Sequence, residues 1–317
     1  MQVDLPYRID AVQELVGHQD RAWHVAWNLA KLICSADKTV RMYSYSRSTN
    51  LSTPAFTHIT TIPTGHTKTV RSLAWAPSGN TLATASFDAN SDGDPGGAAR
   101  TGEWECASLL EGHETECKSV AYSASGMLLA SCSRDKTVWI WEVHMGVLME
   151  HTQDVKCVAW HPTEEILASA SYDDTIKMYV DDPLDDWFCF LTLTGHTSTV
   201  WSLAWSPTNS YIASASDDKS VRIWGRVAEH KWTCVVLLEG NERSVYSVSW
   251  GAGLGWLAAV GGDGVIRVWK ISVSDCANAH GIYDVNCVAW CPRQGFEDLL
   301  ATTGDDGTTK FGEYLVR

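Results

Sequence analysis

Three observations in the sequence predict an all-β chain built as one ring of seven four-stranded sheets. The first is a sevenfold repeat: Gly-His or a similar pair, then V-x-S-V-A-W, then L-A-S-x-S-x-D. The copies start near Gly17, Gly65, Gly112, Glu150, Gly195, Gly240 and Ala279. The second is period-two alternation of apolar and polar residues, as in TVWSLAWSP (Thr199 to Pro207), YIASASDD and SVRIWG, which marks half-buried strands. The third is punctuation: Gly, Pro, Asn and Asp fill the breaks, and helical spacing never persists. The aspartates that end each unit's second strand are Asp37, Asp88, Asp135, Asp173, Asp218, Asp263 and Asp306, spaced 38 to 51 residues apart. That period matches a four-stranded unit. One such sheet cannot bury both faces, so it stacks on neighbours, and radial closure leaves only short protected edges.

Taken in order, the segment Tyr7 to Val16 is free to supply a strand, and the last unit has only three readable strands before Arg317. The N-terminal segment is therefore expected to complete the last sheet, making residues 1–317 a single domain. Unit one is three residues short between His18 and Asp37. In unit two the strand expected after Asp88 is absent, replaced by the Gly/Asp/Pro-rich run from Ala89 to Trp104, which reads as a loop. The link after Trp141 is brief, and Ile271 to His280 is thin for two strand edges and a turn. These shortfalls are read either as loop residues missing from the chain or as divergence of the units concerned.

Composition narrows the function. Hydrophobic residues make up 45% of the 317 and charged residues 20%, enough for a large core. The net charge of −14 repels phosphate backbones and anionic lipid, so neither nucleic acid nor membrane is an expected partner. The first thirty residues carry Asp4, Arg8, Asp10 and Glu14 with no apolar core, and no secretory signal or membrane span is expected. Ten cysteines lack CxxC pairs or framework spacing and read as reduced, buried residues of an intracellular protein. Cys287 and Cys291 stand four apart with His280 upstream, but Cys287 falls where the strand NCVAW needs a small apolar residue, so no metal site is expected. GAGLG (Gly251 to Gly255) reads as a hairpin turn, and the acidic run Asp181 to Asp186 as a solvated loop.

The repeat resembles the WD-repeat β-propeller family over nearly the whole chain. In that family each sheet, or blade, is stapled by a His, a Ser/Thr, an Asp and a Trp. The resemblance assigns His113, Ser131, Asp135 and Trp141 to blade three and His196, Ser214, Asp218 and Trp224 to blade five, with 22 residues from His to Asp in both. Blade four has His151, Ser169 and Asp173 with Tyr179 for Trp; blade six keeps Asp263 and Trp269 but has Asn241 and Ala259, so both are expected to be held less firmly by polar bonds. The same residue types could form a catalytic triad, but recurrence around a ring is what a structural staple predicts. No catalytic residue and no cofactor is expected.

Blade geometry in that family sends two residue sets to the narrow top face. One is Trp23, Arg71, Lys118, Lys156, Trp201, Tyr246 and Asn286; the other is Ala36, Phe87, Arg134, Tyr172, Asp217, Gly262 and Asp305. Blades two to four thus gather Arg71, Lys118, Arg134 and Lys156 with Phe87 and Tyr172 on an acidic protein. That chemistry suits a carboxylate-bearing peptide with an aromatic anchor, with Arg134 expected to be central.

A narrower resemblance rests on EGHETECKSVAYSASGMLLASCSRDKTVWIWEV, EHTQDVKCVAWHPTEEILASASYDDTIKMY, GHTSTVWSLAWSP, ASDDKSVRIW and YDVNCVAWCP. These stretches are similar to the WD-repeat scaffolds of the cytosolic iron–sulfur protein assembly (CIA) targeting complex. The resemblance implies a non-enzymatic adaptor in cytosol and nucleus. Its partners would be the other subunits of that complex and apo client proteins awaiting [4Fe–4S] insertion, some ending in an apolar, an acidic and an aromatic residue. The alternative is a WD-repeat substrate receptor of a ubiquitin ligase or a chromatin-peptide reader using the same face.

Overall fold

The computed structural model describes residues 7–28, 31–35, 37–47, 54–92, 104–142, 146–182, 186–251, 255–270, 273–278, 284–293 and 296–316. They form seven four-stranded antiparallel sheets, and none of them lies in a helix long and apolar enough to cross a membrane. The inner strands are His24–Trp27, Val70–Trp75, Cys117–Tyr122, Val155–Trp160, Val200–Trp205, Val245–Trp250 and Val285–Trp290. Each packs on the next, and the seventh packs on the first, closing the ring. The outermost strand of the seventh blade is Tyr7–Leu15, antiparallel to Thr309–Val316 with Arg8 opposite Leu315 and Leu15 opposite Thr309. In blade two the outer strands shrink to Ser91–Asp92 and Leu109–Leu110. The strand that the sequence reading counts as absent is therefore present at minimal length, and Trp104 packs edge-on against Trp75 at 5.9 Å.

The run V-x-S-V-A-W explains how blades adhere. Its third residue accepts from the backbone N–H of the fourth residue in the following blade. Val120 donates to Ser72 (3.4 Å), Val158 to Ser119 (3.4 Å), Val248 to Ser202 (3.3 Å) and Val288 to Ser247 (3.1 Å). His24 Nδ1 takes the same place for Leu73 at 3.3 Å, and burial pushes this imidazole down to about 3, so it stays neutral and able to accept. Cys157 and Cys287 fill the other two places, against the backbone of Leu203 and Val25. The sixth residue reaches the preceding blade: indole N–H groups of Trp27, Trp160, Trp205 and Trp250 donate to the carbonyls of Ala289, Ala121, Ala159 and Ala204 at 3.0–3.1 Å. Trp75 finds no acceptor for its indole N–H among the described residues.

The staples form where the pattern is complete. His113 bridges Asp135 (2.9 Å) and Ser131 (2.8 Å), and Trp141 donates to Ser131 at 2.8 Å. His196 bridges Asp218 and Ser214, both 2.7 Å, and Trp224 donates to Ser214 at 2.9 Å. In blade four the buried Tyr179 hydroxyl replaces the indole, 3.2 Å from Ser169. In all seven blades the residue after the turn aspartate has φ between 67° and 76°, although only Gly264 and Gly307 are glycines. The strain at the other five is offset by hydrogen bonds the tight turn allows, as where Thr137 donates both its N–H (2.9 Å) and its hydroxyl (2.5 Å) to Asp135.

Blade six corrects the expectation of a weak staple. Arg267, four residues after Asp263, places Nη1 2.6 Å from its carboxylate, and both side chains are nearly buried, 11% and 7% exposed. Blade seven has the same device in Lys310 and Asp306 at 3.3 Å. A cation from the next strand thus neutralises the turn carboxylate in blade six, where Asn241 stands in the histidine's place. His280, near which the seventh copy of the repeat starts, lies outside the described residues.

Candidate protein-binding site at the mouth of the ring

Inner-strand register creates the site. In six blades the pairing slips by one residue at the second position, leaving Arg71, Lys118, Lys156, Trp201, Tyr246 and Asn286 as the extra, unpaired residues of β-bulges. A bulge re-aims its side chain out of the ladder. Here the six turn to one end of the ring, joined by Trp23 ahead of the first inner strand, and together they line a cavity of about 310 Å³. Phe87, Asp305, Arg21 and Asp284 complete its wall.

Of the second set, Phe87 and Asp305 reach this cavity; Arg134, Tyr172, Asp217 and Gly262 do not line it, and Ala36 lies outside the described residues. Arg134 stands at the outer rim, 60% exposed, with Nη1 3.8 Å from Glu116. Arg21 and Asp284 escape the sequence reading. Their signal is nevertheless present: each lies two residues before a mouth residue, as do Thr69, Glu116 and Asp154. Backbone carbonyls at that offset accept from the residue preceding the turn aspartate: Phe87 to Thr69 (3.1 Å), Arg134 to Glu116 (3.1 Å), Tyr172 to Asp154 (2.8 Å) and Asp305 to Asp284 (3.0 Å). That single bond ties residues of both sets, and Asp284, to one turn.

Cations and rings alternate around the positive side. The Arg71 guanidinium lies 4.9 Å from the centre of the Trp23 ring, and Lys118 Nζ lies 4.4 Å from that of Phe87. Lys156 Nζ sits between Trp201 (5.1 Å) and Tyr172 (5.2 Å). Such contacts hold cations in place without neutralising them. Lys118 and Lys156 also carry carboxylates from the residue just ahead of each strand, Glu116 at 2.6 Å and Asp154 at 3.2 Å. Burial pulls the Lys118 ammonium below its usual value, opposed by Glu116, and the Lys118 hydrogen bond in turn holds the Glu116 carboxyl low. Burial likewise lowers the Arg71 guanidinium, and no carboxylate among the described residues pairs with it; the equivalent of Glu116 there is Thr69. Across the cavity Asp305 pairs with Arg21 at 3.4 Å and accepts from Asn286 at 3.0 Å. The mouth is therefore positive toward blades two to four and acidic toward blade seven.

The model of the WD domain, G-beta repeat, matches residues 56–90, 104–142, 143–179, 187–225, 232–270 and 275–311. The chain belongs to the WD40 repeat family. The first three strands of blade one precede the matched residues, and their staple departs from that of the other blades. His18 meets Asp37 (3.0 Å) across 19 residues rather than 22, and Cys34 stands where the hydroxyl would be, 3.3 Å from His18 Nε2. The chain is also similar to curated proteins named "Probable cytosolic iron-sulfur protein assembly protein 1". It is 46% identical over 167 residues to that of Mycosarcoma maydis, covering 41% of this chain and 37% of the relative. It is 36% identical over 232 residues to that of Botryotinia fuckeliana, covering 53% and 51%. With the Malassezia globosa protein it shares 55% identity over 91 residues, covering 26% and 25%. The chain thus spans about half or less of the length of the curated relatives it matches.

Proposed function

We propose that this WD40 protein is a non-enzymatic scaffold of cytosolic iron–sulfur protein assembly. In this reading it works in the cytoplasm, joins the other subunits of the CIA targeting complex, and holds apo client proteins for [4Fe–4S] insertion. The names of its relatives support the pathway. The observation that carries the binding role is the mouth itself, where bulged Arg71, Lys118 and Lys156 converge among Trp23, Phe87 and Trp201. A peptide's carboxylate sits against Arg71, accepting from its planar donors in bidentate fashion, and an aromatic side chain fills the space between the rings. The geometry favours Arg71 over Arg134 as the principal anion contact, because Arg71 lines the cavity and no carboxylate among the described residues pairs with it.

An affinity-tagged chain is expected to retain iron–sulfur assembly subunits and to bind peptides ending in an acidic and an aromatic residue. Arg71→Ala should weaken peptide binding by about 2 kcal/mol or more with melting unchanged, and Arg134→Glu by less. Wild-type affinity in a folded Arg71→Ala protein would remove the mouth as the site. Retention of a cullin adaptor or histones instead would favour a ligase receptor or chromatin reader.

A further inference from the structure

The three cations facing the positive side of the mouth are not equivalent, and the difference lies two residues upstream of each. Arg71 has Thr69 there, Lys156 has Asp154, and Lys118 has Glu116. Asp154 holds one cation, Lys156, at 3.2 Å. Glu116 holds two with one oxygen: Oε2 is 2.6 Å from Lys118 Nζ and 3.8 Å from Arg134 Nη1. Lys118 is 15% exposed and Glu116 32%, so the carboxylate sits at the boundary between cavity and solvent. It makes with those cations the kind of contact an incoming carboxylate would make.

Resting on the peptide-binding reading above, we propose that Glu116 is a built-in competitor for the anionic end of the ligand. Its carboxylate occupies Lys118 and Arg134 in the free protein and is displaced, or shares them, when an acidic peptide enters. The consequence is selectivity. A peptide whose single carboxylate reaches Arg71 binds without disturbing Glu116. A peptide with a second carboxylate gains from Lys118 and Arg134 only by competing with Glu116. The mouth is thus held back from general binding of acidic chains, a means of discrimination by an internal repulsive element. Position supports this role over a purely structural one: the Glu116 backbone already serves the turn through its carbonyl, and no other residue depends on the side chain for a hydrogen bond among the described residues.

The test is calorimetric titration of wild-type and Glu116→Gln protein with two synthetic, C-terminally amidated peptides whose last residue is aromatic, one bearing a single acidic side chain and the other two, so that the side chains supply all the carboxylates. Glutamine keeps the shape and removes the charge. The expected result is that Glu116→Gln binds the two-acid peptide about five-fold more tightly, the scale of a partly exposed ion pair released to the ligand, with a steeper loss of affinity on adding salt. The one-acid peptide should change by less than about two-fold, and Asp154→Asn should give a smaller gain because it frees one cation. Unchanged or weaker binding of the two-acid peptide by Glu116→Gln, with wild type binding both, would overturn the competitor role and make Glu116 a residue that positions Lys118, leaving the mouth as the site. Failure of every protein to bind either peptide would overturn the site and the competitor together.

Discussion

Removing the guanidinium of Arg267 should destabilise the ring far more than removing that of Arg226, although both place Nη1 2.6 Å from a carboxylate. The two pairs differ in burial. Arg267 and Asp263 are 11% and 7% exposed, whereas Arg226 and Glu164 are 27% and 43%. Water and salt screen the second pair, and exposed pairs contribute roughly 0.2–1 kcal/mol. In the first, Arg267→Ala leaves the Asp263 carboxylate inside the blade with the backbone N–H groups of Val265 (3.2 Å) and Glu242 (3.3 Å). Breaking one half of a buried pair costs about 3–5 kcal/mol; the two backbone donors keep the expected loss near the lower figure. Urea denaturation followed by tryptophan fluorescence should lower the midpoint by about 1 M for Arg267→Ala, taking a slope of about 3 kcal/mol per M, and by little for Arg226→Ala. Adding Asp263→Ala should recover part of the loss, since the stranded charge is gone. Equal losses for the two arginine variants would refute the assignment of Arg267 as the substitute for the missing histidine of blade six.

Trp75 and Trp205 are a matched pair, each half-buried and edge-on to a second indole (Trp104 at 5.9 Å, Trp232 at 5.4 Å). Among the described residues only Trp205 has an acceptor, so Trp205→Phe should cost about 1 kcal/mol more than Trp75→Phe in the same denaturation assay, the value of one buried hydrogen bond; equal costs would dismiss the cross-blade bond as an energetic term. The staple aspartates predict acid sensitivity. Burial would raise the carboxyls of Asp135, Asp173 and Asp218, but hydrogen bonds from His113, His151 and His196 and from Thr137, Thr175 and Ser220 outweigh it and hold all three well below the usual carboxylate range. Folded values below unfolded ones give stability that is fully present above about pH 4–5 and lost as pH falls toward the folded values; Asp135→Asn should flatten that acid limb in a melting series, and an unchanged limb would count against the staple as its origin.

Much of this architecture is legible in the sequence because one hexamer recurs. The turn aspartates announce seven units, and the Tyr7–Leu15 strand is foreseeable because the last unit runs short. The two residue sets on the top face follow from repeat alignment, yet they are not equally placed. The second-position residues of six blades share a bulge and converge, whereas the residues preceding the turn aspartate divide: Phe87 and Asp305 reach the cavity, and Arg134 and Tyr172 sit at the rim. No propensity or periodicity distinguishes those outcomes; the bulge is a property of pairing, and it appears only with the partner strand. Arg267 was hidden for a related reason. At that strand position blade three has Trp139 and blade five Arg222, so nothing in the pattern marks an arginine there as the replacement for a histidine 26 residues earlier in the alignment, where Asn241 now stands.

The inner strand divides its labour by position, and this links the fold to the proposed role. The second residue bulges into the mouth, the third and fourth bond to neighbouring blades, and the fifth and sixth repeat that bond in the same direction, through an alanine carbonyl on one blade and an indole on the next. In the proposed role, the residues that would select a ligand are therefore one peptide bond away from residues that fix the ring. Arg71 is followed by Ser72, whose hydroxyl accepts from Val120; Lys118 is followed by Ser119, which accepts from Val158. A cation presented this way loses little further freedom when a carboxylate arrives, because its backbone is already held on both sides, and the ordering cost that weakens association through mobile loops is reduced. The same coupling confines change. Substitution at the second position alters charge and shape at the mouth while the neighbouring positions keep the blades in register, so Arg71, Lys118 and Lys156 on one side can differ from Trp201, Tyr246 and Asn286 on the other within one repeated frame.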